Sequence, residues 1–326
     1  METREVQKNS DRPMKMIFMG SAEFAVPSLN ALLAGPDKIQ AVVTRPPKPR
    51  GRNRGLSPCP LCAFAGERGL PMVTPANVSS PDTVRGLEDL APDVIIVIAY
   101  GQLLKKRLLD IPRLACINVH ASLLPKYRGA APIQWAIAGG ENLTGVTTMY
   151  MSEGMDEGDV ILQETAPITR EDTAASLHDR LAASAAGLLK TTLGLIREGK
   201  APRKKQNSDE ATYAPKLNRQ DGQIDWTLSA EEIYNKVRGF NPWPGCWCRV
   251  PLSDSGGNKR LKILKVEAEK AQGEPGTLLE TGRADPVIAA GKGSVRLLCV
   301  QPEGGRRMSG AEYFRGLKIR NCTSFK

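Results

Sequence analysis

The run Val94-Ile-Ile-Val-Ile-Ala99 constrains this chain more than any other stretch. It holds no polar side chain, so a strand made from it must be covered on both faces, as a strand in the middle of a parallel sheet is. Parallel neighbours need crossover connections, and the chain supplies the parts in order. Residues 15–19 read as a strand ending at Gly20-Ser21, and Pro27 with Leu29, Leu32 and Leu33 then gives helical spacing. Residues 39–44 read as a second strand. The alternation runs to about residue 150 and predicts a Rossmann-like, doubly wound parallel α/β domain with its site at the carboxyl ends of the strands. The first turn, Gly20-Ser-Ala-Glu-Phe24, lacks Gly-x-Gly-x-x-Gly, so no nicotinamide or flavin dinucleotide is indicated.

Candidate chemistry follows a second apolar run, Leu114-Ala-Cys-Ile117, which leads into Asn118-Val-His120. Side chains alternate along a strand, so Asn118 and His120 share a face. An amide donor and an imidazole then point together. Ser122-Leu-Leu-Pro125 and Arg128-Gly-Ala-Ala-Pro132 break the strand and start a new element near Pro132. Beyond it, Gly154-Met-Asp156-Glu-Gly158-Asp159 sets carboxylates on a glycine-flanked turn, where a backbone can come close to a ligand. Asn118, His120 and Asp156 can therefore converge. The other histidine, His178, falls in a helical pattern over residues 173–197 and reads as structural.

Residues 198–216 are polar and basic with few side chains fit for a core, which predicts a linker and a domain boundary near residue 210. After residue 217 the pattern changes. Residues 260–266, 287–290 and 294–300 alternate apolar with basic or polar side chains, as an antiparallel sheet with one wet face does. The division is then an extension over 1–14, a catalytic domain over 15–197, a linker over 198–216 and a second domain over 217–326. The extension mixes acidic and basic residues, unlike a signal or transit peptide, and no apolar run reaches the length of a membrane span, so a cytoplasmic protein is expected.

A formal net charge of +10 favours a polyanionic partner. The segment Arg45-Pro-Pro-Lys-Pro-Arg-Gly-Arg-Asn-Arg-Gly55 carries five basic residues and no acidic one, and its prolines and glycines predict an exposed loop beside the strand ends. A solvated charge run is the bland reading. A phosphate-contacting loop is the functional one. Seven cysteines do not suggest a secreted disulfide framework. Cys59-Pro-Leu-Cys62 has metal-ligand spacing, but the other close pair, Cys246 and Cys248, lies in a distant segment, and no metal site is expected.

The segment Asn118-Val-His-Ala-Ser-Leu-Leu-Pro-Lys-Tyr-Arg-Gly-Ala-Ala-Pro-Ile-Gln-Trp135, with the turn at Asp156, resembles the catalytic segment of the folate-dependent formyltransferases. Residues 17–24, Val97-Ile-Ala-Tyr-Gly101, Ile224-Asp-Trp226 and Phe240-Asn-Pro-Trp-Pro244 are similar to the same family at the same relative places, most closely to its members that act on methionyl-tRNA. The resemblance runs from about Lys15 to near the C-terminus. It implies 10-formyltetrahydrofolate as formyl donor, initiator methionyl-tRNA as acceptor, no metal, and a monomer. Asn118 and His120 would hold the oxyanion and handle protons, with Asp156 orienting His120. Val97, Ile98, Ala99, Tyr100 and Gly101 with Ser122, Leu123, Leu124 and Pro125 would line the folate. Lys48, Arg50, Arg52 and Arg54 would meet the tRNA, Arg52 as the discriminating arginine. With the glycine-rich connections, the resemblance also implies a small OB-like β-barrel as the second domain, extending the tRNA footprint. A formyltransferase for a small amine or a formyl-folate hydrolase would share Asn118, His120 and Asp156. An RNA-binding protein without activity would explain the charge but leave the Asn-x-His and Asp-x-Gly pattern without a purpose.

Overall fold

The structure, a computed structural model, describes residues 12–50, 55–251, 258–280, 284–315 and 324–325. It divides into two compact units. The first holds, in order, β1 (Lys15–Gly20), α1 (Val26–Leu33), β2 (Lys38–Val43), β3 (Lys48–Arg50), β4 (Gly55–Ser57), α2 (Pro60–Glu67), β5 (Met72–Val73), α3 (Pro81–Glu88), β6 (Val94–Ile98), α4 (Lys106–Leu109) and β7 (Ala115–His120). In chain order there follow β8 (Arg128–Gly129), α5 (Pro132–Ala138), which from Ile133 on belongs to the second unit, β9 (Leu143–Tyr150), β10 (Val160–Pro167), α6 (Ala174–Arg197), which joins the first unit only from His178 on, and β11 (Tyr213–Ala214).

Seven strands form one sheet in the order β10-β9-β7-β6-β1-β2-β5. The chain starts at β1, winds outward through β2 to β5, then returns to the other side of β1 for β6 and β7, with all these pairs parallel. The direction of winding reverses between β1 and β6, and in such sheets the crevice outside the carboxyl ends at this point is where ligands bind. Every residue of β6 and β7 is buried, as the apolar run predicts. Ile17, Met19, Val43, Ile95, Val97 and Cys116 join in one core on that sheet.

The sheet continues past residue 150. β9 pairs antiparallel with β7, and β10 antiparallel with β9, so a hairpin closes the edge next to the Asn118 strand. Its threonines hide it from a hydrophobicity pattern, yet Thr147 and Thr148 are fully buried. Thr148 Oγ1 meets Thr192 Oγ1 of α6 at 2.8 Å, which satisfies both hydroxyls inside the core.

Three expectations change. The segment expected as a linker, residues 198–216, belongs to the first unit as far as Ala214: Lys204 bridges to Val160, Gln206 is buried, and β11 runs parallel to β8. Most of its side chains are exposed, but the buried Gln206 finds protein partners at both ends of its amide, a difference that composition does not reveal. The single cut between domains is also replaced, because residues 133–142 and 168–177 pack with the second unit. Finally, the basic segment, expected as an exposed loop, carries a short antiparallel strand pair, with Lys48 opposite Ser57 and Arg50 opposite Gly55. Lys48 is exposed on it, and Arg52 and Arg54 lie outside the described residues.

The second unit contains β12 (Cys246–Pro251), β13 (Asn258–Glu269), β14 (Leu278–Glu280), β15 (Val287–Ala289), β16 (Ser294–Pro302) and β17 (Met308–Ser309), with α7 (Ala230–Gly239) and α8 (Gly310–Arg315). Its sheet is antiparallel in the order β12-β13-β16-β15-β14, and β17 adds to β16. Among the described residues the ladders form an open path with β12 and β14 at its ends. Along β13, Leu261, Ile263 and Val266 are buried while Lys262 and Lys265 face out, the expected wet and dry faces. A Ser229/Glu232 capping box starts α7. Phe240, which follows it, is fully buried and meets Trp135 edge to face at 5.4 Å.

Candidate active site

Period-two geometry brings Asn118 and His120 to the same face of β7, and the β9–β10 connection brings Asp156 to them. Asn118 Nδ2 donates to Asp156 Oδ1 at 3.3 Å, and His120 Nδ1 stands 3.6 Å from Asp156 Oδ2. The backbone N–H of Gly129 donates to the same Oδ2 at 2.9 Å. His120 Nε2 lies 2.9 Å from the carbonyl oxygen of Tyr127. A carbonyl only accepts, so Nε2 carries a hydrogen and Nδ1 is the nitrogen left for proton traffic. Neutral, His120 presents a base at Nδ1; protonated, it presents a donor. Asn118 and His120 are both buried, with Asp156 slightly more open.

The turn after β7 is fixed by polar groups of which sequence reasoning named only Ser122, and Ser122 for another role. Ser122 Oγ donates to Lys126 O at 2.6 Å, and Thr147 Oγ1 donates to Ser122 O at 2.6 Å. Leu124 N–H donates to Thr147 Oγ1, and Gln163 Nε2 donates to Leu124 O at 2.9 Å. Ser122 is therefore fully buried with its hydroxyl occupied, while Leu123 and Pro125 are half-buried. At the end of β6, Val97, Ile98 and Tyr100 are buried, and Ala99 and Gly101 are exposed at positive φ of 48° and 75°. What β6 offers a ligand is thus mainly backbone. Burial pushes the Tyr100 phenol up to about 12. The Arg45 guanidinium donates to Gly101 O, so the base of the basic arm touches this strand end.

Cys59 Sγ accepts from Cys62 N–H at 3.4 Å and caps α2, a structural use of the Cys-x-x-Cys pair. Burial pushes Cys116, Cys246 and Cys248 up to about 12, which leaves them neutral thiols rather than nucleophiles. His178 packs edge to face on Phe24 and bonds Asp179.

Comparison with known proteins adds to this geometry. The family model "Formyl transferase" matches residues 14–193, and "Formyl transferase, C-terminal domain" matches residues 216–318. A methionyl-tRNA formyltransferase of Geobacter sulfurreducens is 42% identical over 306 residues, covering 94% of this chain and 95% of its own. One from Pelotomaculum thermopropionicum is 45% identical over 306 residues, covering 93% and 96%. Among solved structures, an N-formyltransferase from Helicobacter canadensis in complex with folinic acid and dTDP-3-aminofucose has a TM-score of 0.64 at 20% identity, over 88% of this chain and 99% of that one. HypX from Aquifex aeolicus in complex with tetrahydrofolic acid has a TM-score of 0.59 at 20% identity, over 96% and 51%. These two share the fold.

Proposed function

The chain belongs to the formyl transferase family, and from that premise we infer that it moves a formyl group from 10-formyltetrahydrofolate to the α-amino group of initiator methionyl-tRNA. Relatives of that activity match nearly the whole chain at about the same length. The observation that carries the chemistry is the convergence of Asn118 and His120 on Asp156.

The neutral amine attacks the formyl carbon, a C–N bond forms, and the formyl oxygen becomes an oxyanion. Asn118 Nδ2 has two N–H groups: one reaches Asp156, and the second serves the oxyanion. Collapse breaks the bond to the folate nitrogen, which takes up a proton as the new amide loses one. His120 Nδ1 relays that proton, and Asp156 orients the ring and balances its charge. The folate lies along the exposed residues Ala99 and Gly101 and against Leu123 and Pro125. The basic arm, Lys48 to Arg54, meets the acceptor end of the tRNA, and the OB-like second unit binds tRNA as well. The setting is the cytoplasm, with one chain sufficient for activity.

Incubation with 10-formyltetrahydrofolate and charged initiator tRNA should yield formyl-methionine after deacylation. Formylation of a dTDP-amino sugar instead, or formate release independent of any amine, would overturn the assignment.

A further inference from the structure

We propose that Gln206 is a positioning residue for Asp156, and that the buried cation Arg128 fixes Gln206 in that role; the inference rests on the function proposed for Asp156. Gln206 comes from the segment whose composition reads as a linker, yet it is 8% exposed, and Arg128 is 4% exposed. Arg128 donates through both Nε and Nη2 to Gln206 Oε1, at 3.1 and 2.8 Å. A guanidinium has no acceptor, so this fork decides which end of the amide is oxygen. The amide nitrogen must then face the other way. There Nε2 donates to Asp156 O at 2.9 Å and to Gly158 O at 2.7 Å.

Those two carbonyls belong to the turn that aims the Asp156 carboxylate. Asp156 has φ 51°, in the left-handed region, which aspartate enters more readily than most residues but still at some cost. The turn is tight, since a Cβ on Gly158 would lie 1.8 Å from Tyr150 O. Gln206 grips the backbone of the turn, and the Gly129 N–H grips the carboxylate. Both grips come from β8, where Arg128 orders Gln206 and its neighbour Gly129 holds Oδ2. Arg128 and Gly129 in turn pair with Tyr213 and Ala214 of β11, seven and eight residues past Gln206. The segment after α6 thus reaches the reacting groups through the Gln206 amide as well as through β11.

Gln206→Glu separates this role from a merely structural one. It keeps the side-chain length and the acceptor for Arg128, now as an ion pair, but sets an oxygen against two carbonyl oxygens in place of N–H donors. We expect kcat for formyl transfer to fall at least about tenfold, as displacement of a catalytic group does, while KM for the formyl donor stays within about twofold. Gln206→Leu, which brings no charge, should lose kcat likewise when compared at equal folded fraction. A second readout needs no substrate: the chain has two histidines, so nitrogen NMR of the imidazoles should show His120 moved and His178 unmoved in both variants. A wild-type kcat together with unmoved His120 signals would overturn the proposal. Failure of the wild type to make formyl-methionine would refute the functional reading alone, and the His120 signals would still test the positioning.

Discussion

At the scale of single residues, the site is organised by what each polar atom must bond to. Asp156 receives Asn118 on one oxygen and Gly129 on the other, which leaves His120 Nδ1 at 3.6 Å, close enough for charge balance and long enough to yield to a reacting atom. Asn118→Ala and His120→Ala should each lower kcat at least about a hundredfold, the usual scale for an oxyanion donor or an acid–base group. Thermal unfolding should be nearly unchanged in both, and full turnover in either would remove that residue from the mechanism. These residues were legible because period two and a glycine-flanked turn are local signals. Gln206, Gln163 and the carbonyl of Tyr127 were not, since each acts through a partner distant in sequence or through a backbone atom that carries no sequence signature.

Elements built from long apolar runs were equally legible, and those built from two residues were not. β6 is the first kind, and a carboxylate ahead of it locks its start. Asp93, 4% exposed in its side chain, accepts from Lys15 N–H at 2.9 Å and from Arg113 Nε at 2.8 Å, tying the beginnings of β1 and β6 together. Burial alone would push its carboxyl up, but the Lys15 and Arg113 hydrogen bonds and the nearby Arg12 outweigh that and hold it below the ordinary value. A lowered native pKa means stability that is complete above about pH 4, the unfolded value, and lost as pH falls through the native one. Asp93→Asn should therefore cost about 1–3 kcal/mol at neutral pH. The gap from wild type should narrow below about pH 4 in urea titrations; a gap independent of pH would refute the charge-based account.

The β8–β11 ladder is the second kind of element. Its members lie 85 residues apart, Arg128 with Tyr213 and Gly129 with Ala214, so no window of sequence contains both. Gly129 sits at φ 123°, and a Cβ there would lie 2.7 Å from Ala214 O. Gly129→Ala should destabilise by about 1–3 kcal/mol and lower kcat as well, because the same residue holds the Asp156 carboxylate. Loss of stability with undiminished kcat would separate the ladder from the site.

For the molecule as a whole, the succession of an α/β half and an antiparallel half was readable but the interleaving of the two units was not. Residues 133–142 and 168–177 leave the first unit and return to it, a path set by packing partners rather than by composition. The charge excess was readable in amount, +10, and in its densest cluster, the arm of residues 45–55. The arm starts at Arg45, which bonds Gly101 at the end of β6, so its root stands beside the proposed folate loop. If its tip meets the acceptor end of a tRNA, Arg52→Ala should lower kcat/KM for methionyl-tRNA far more than it weakens folate binding. Arg52→Lys should restore only part, because an ammonium lacks the planar fork of a guanidinium. Neutralising Arg50 or Arg54 should act more diffusely, lowering affinity and flattening the dependence of log K on log salt by about one unit for each phosphate no longer neutralised. Measuring kcat/KM on initiator and elongator methionyl-tRNA at two salt concentrations distinguishes the cases. A loss confined to the initiator means discrimination at Arg52, equal losses that vanish at high salt mean general attraction, and no loss in any variant removes the arm from recognition.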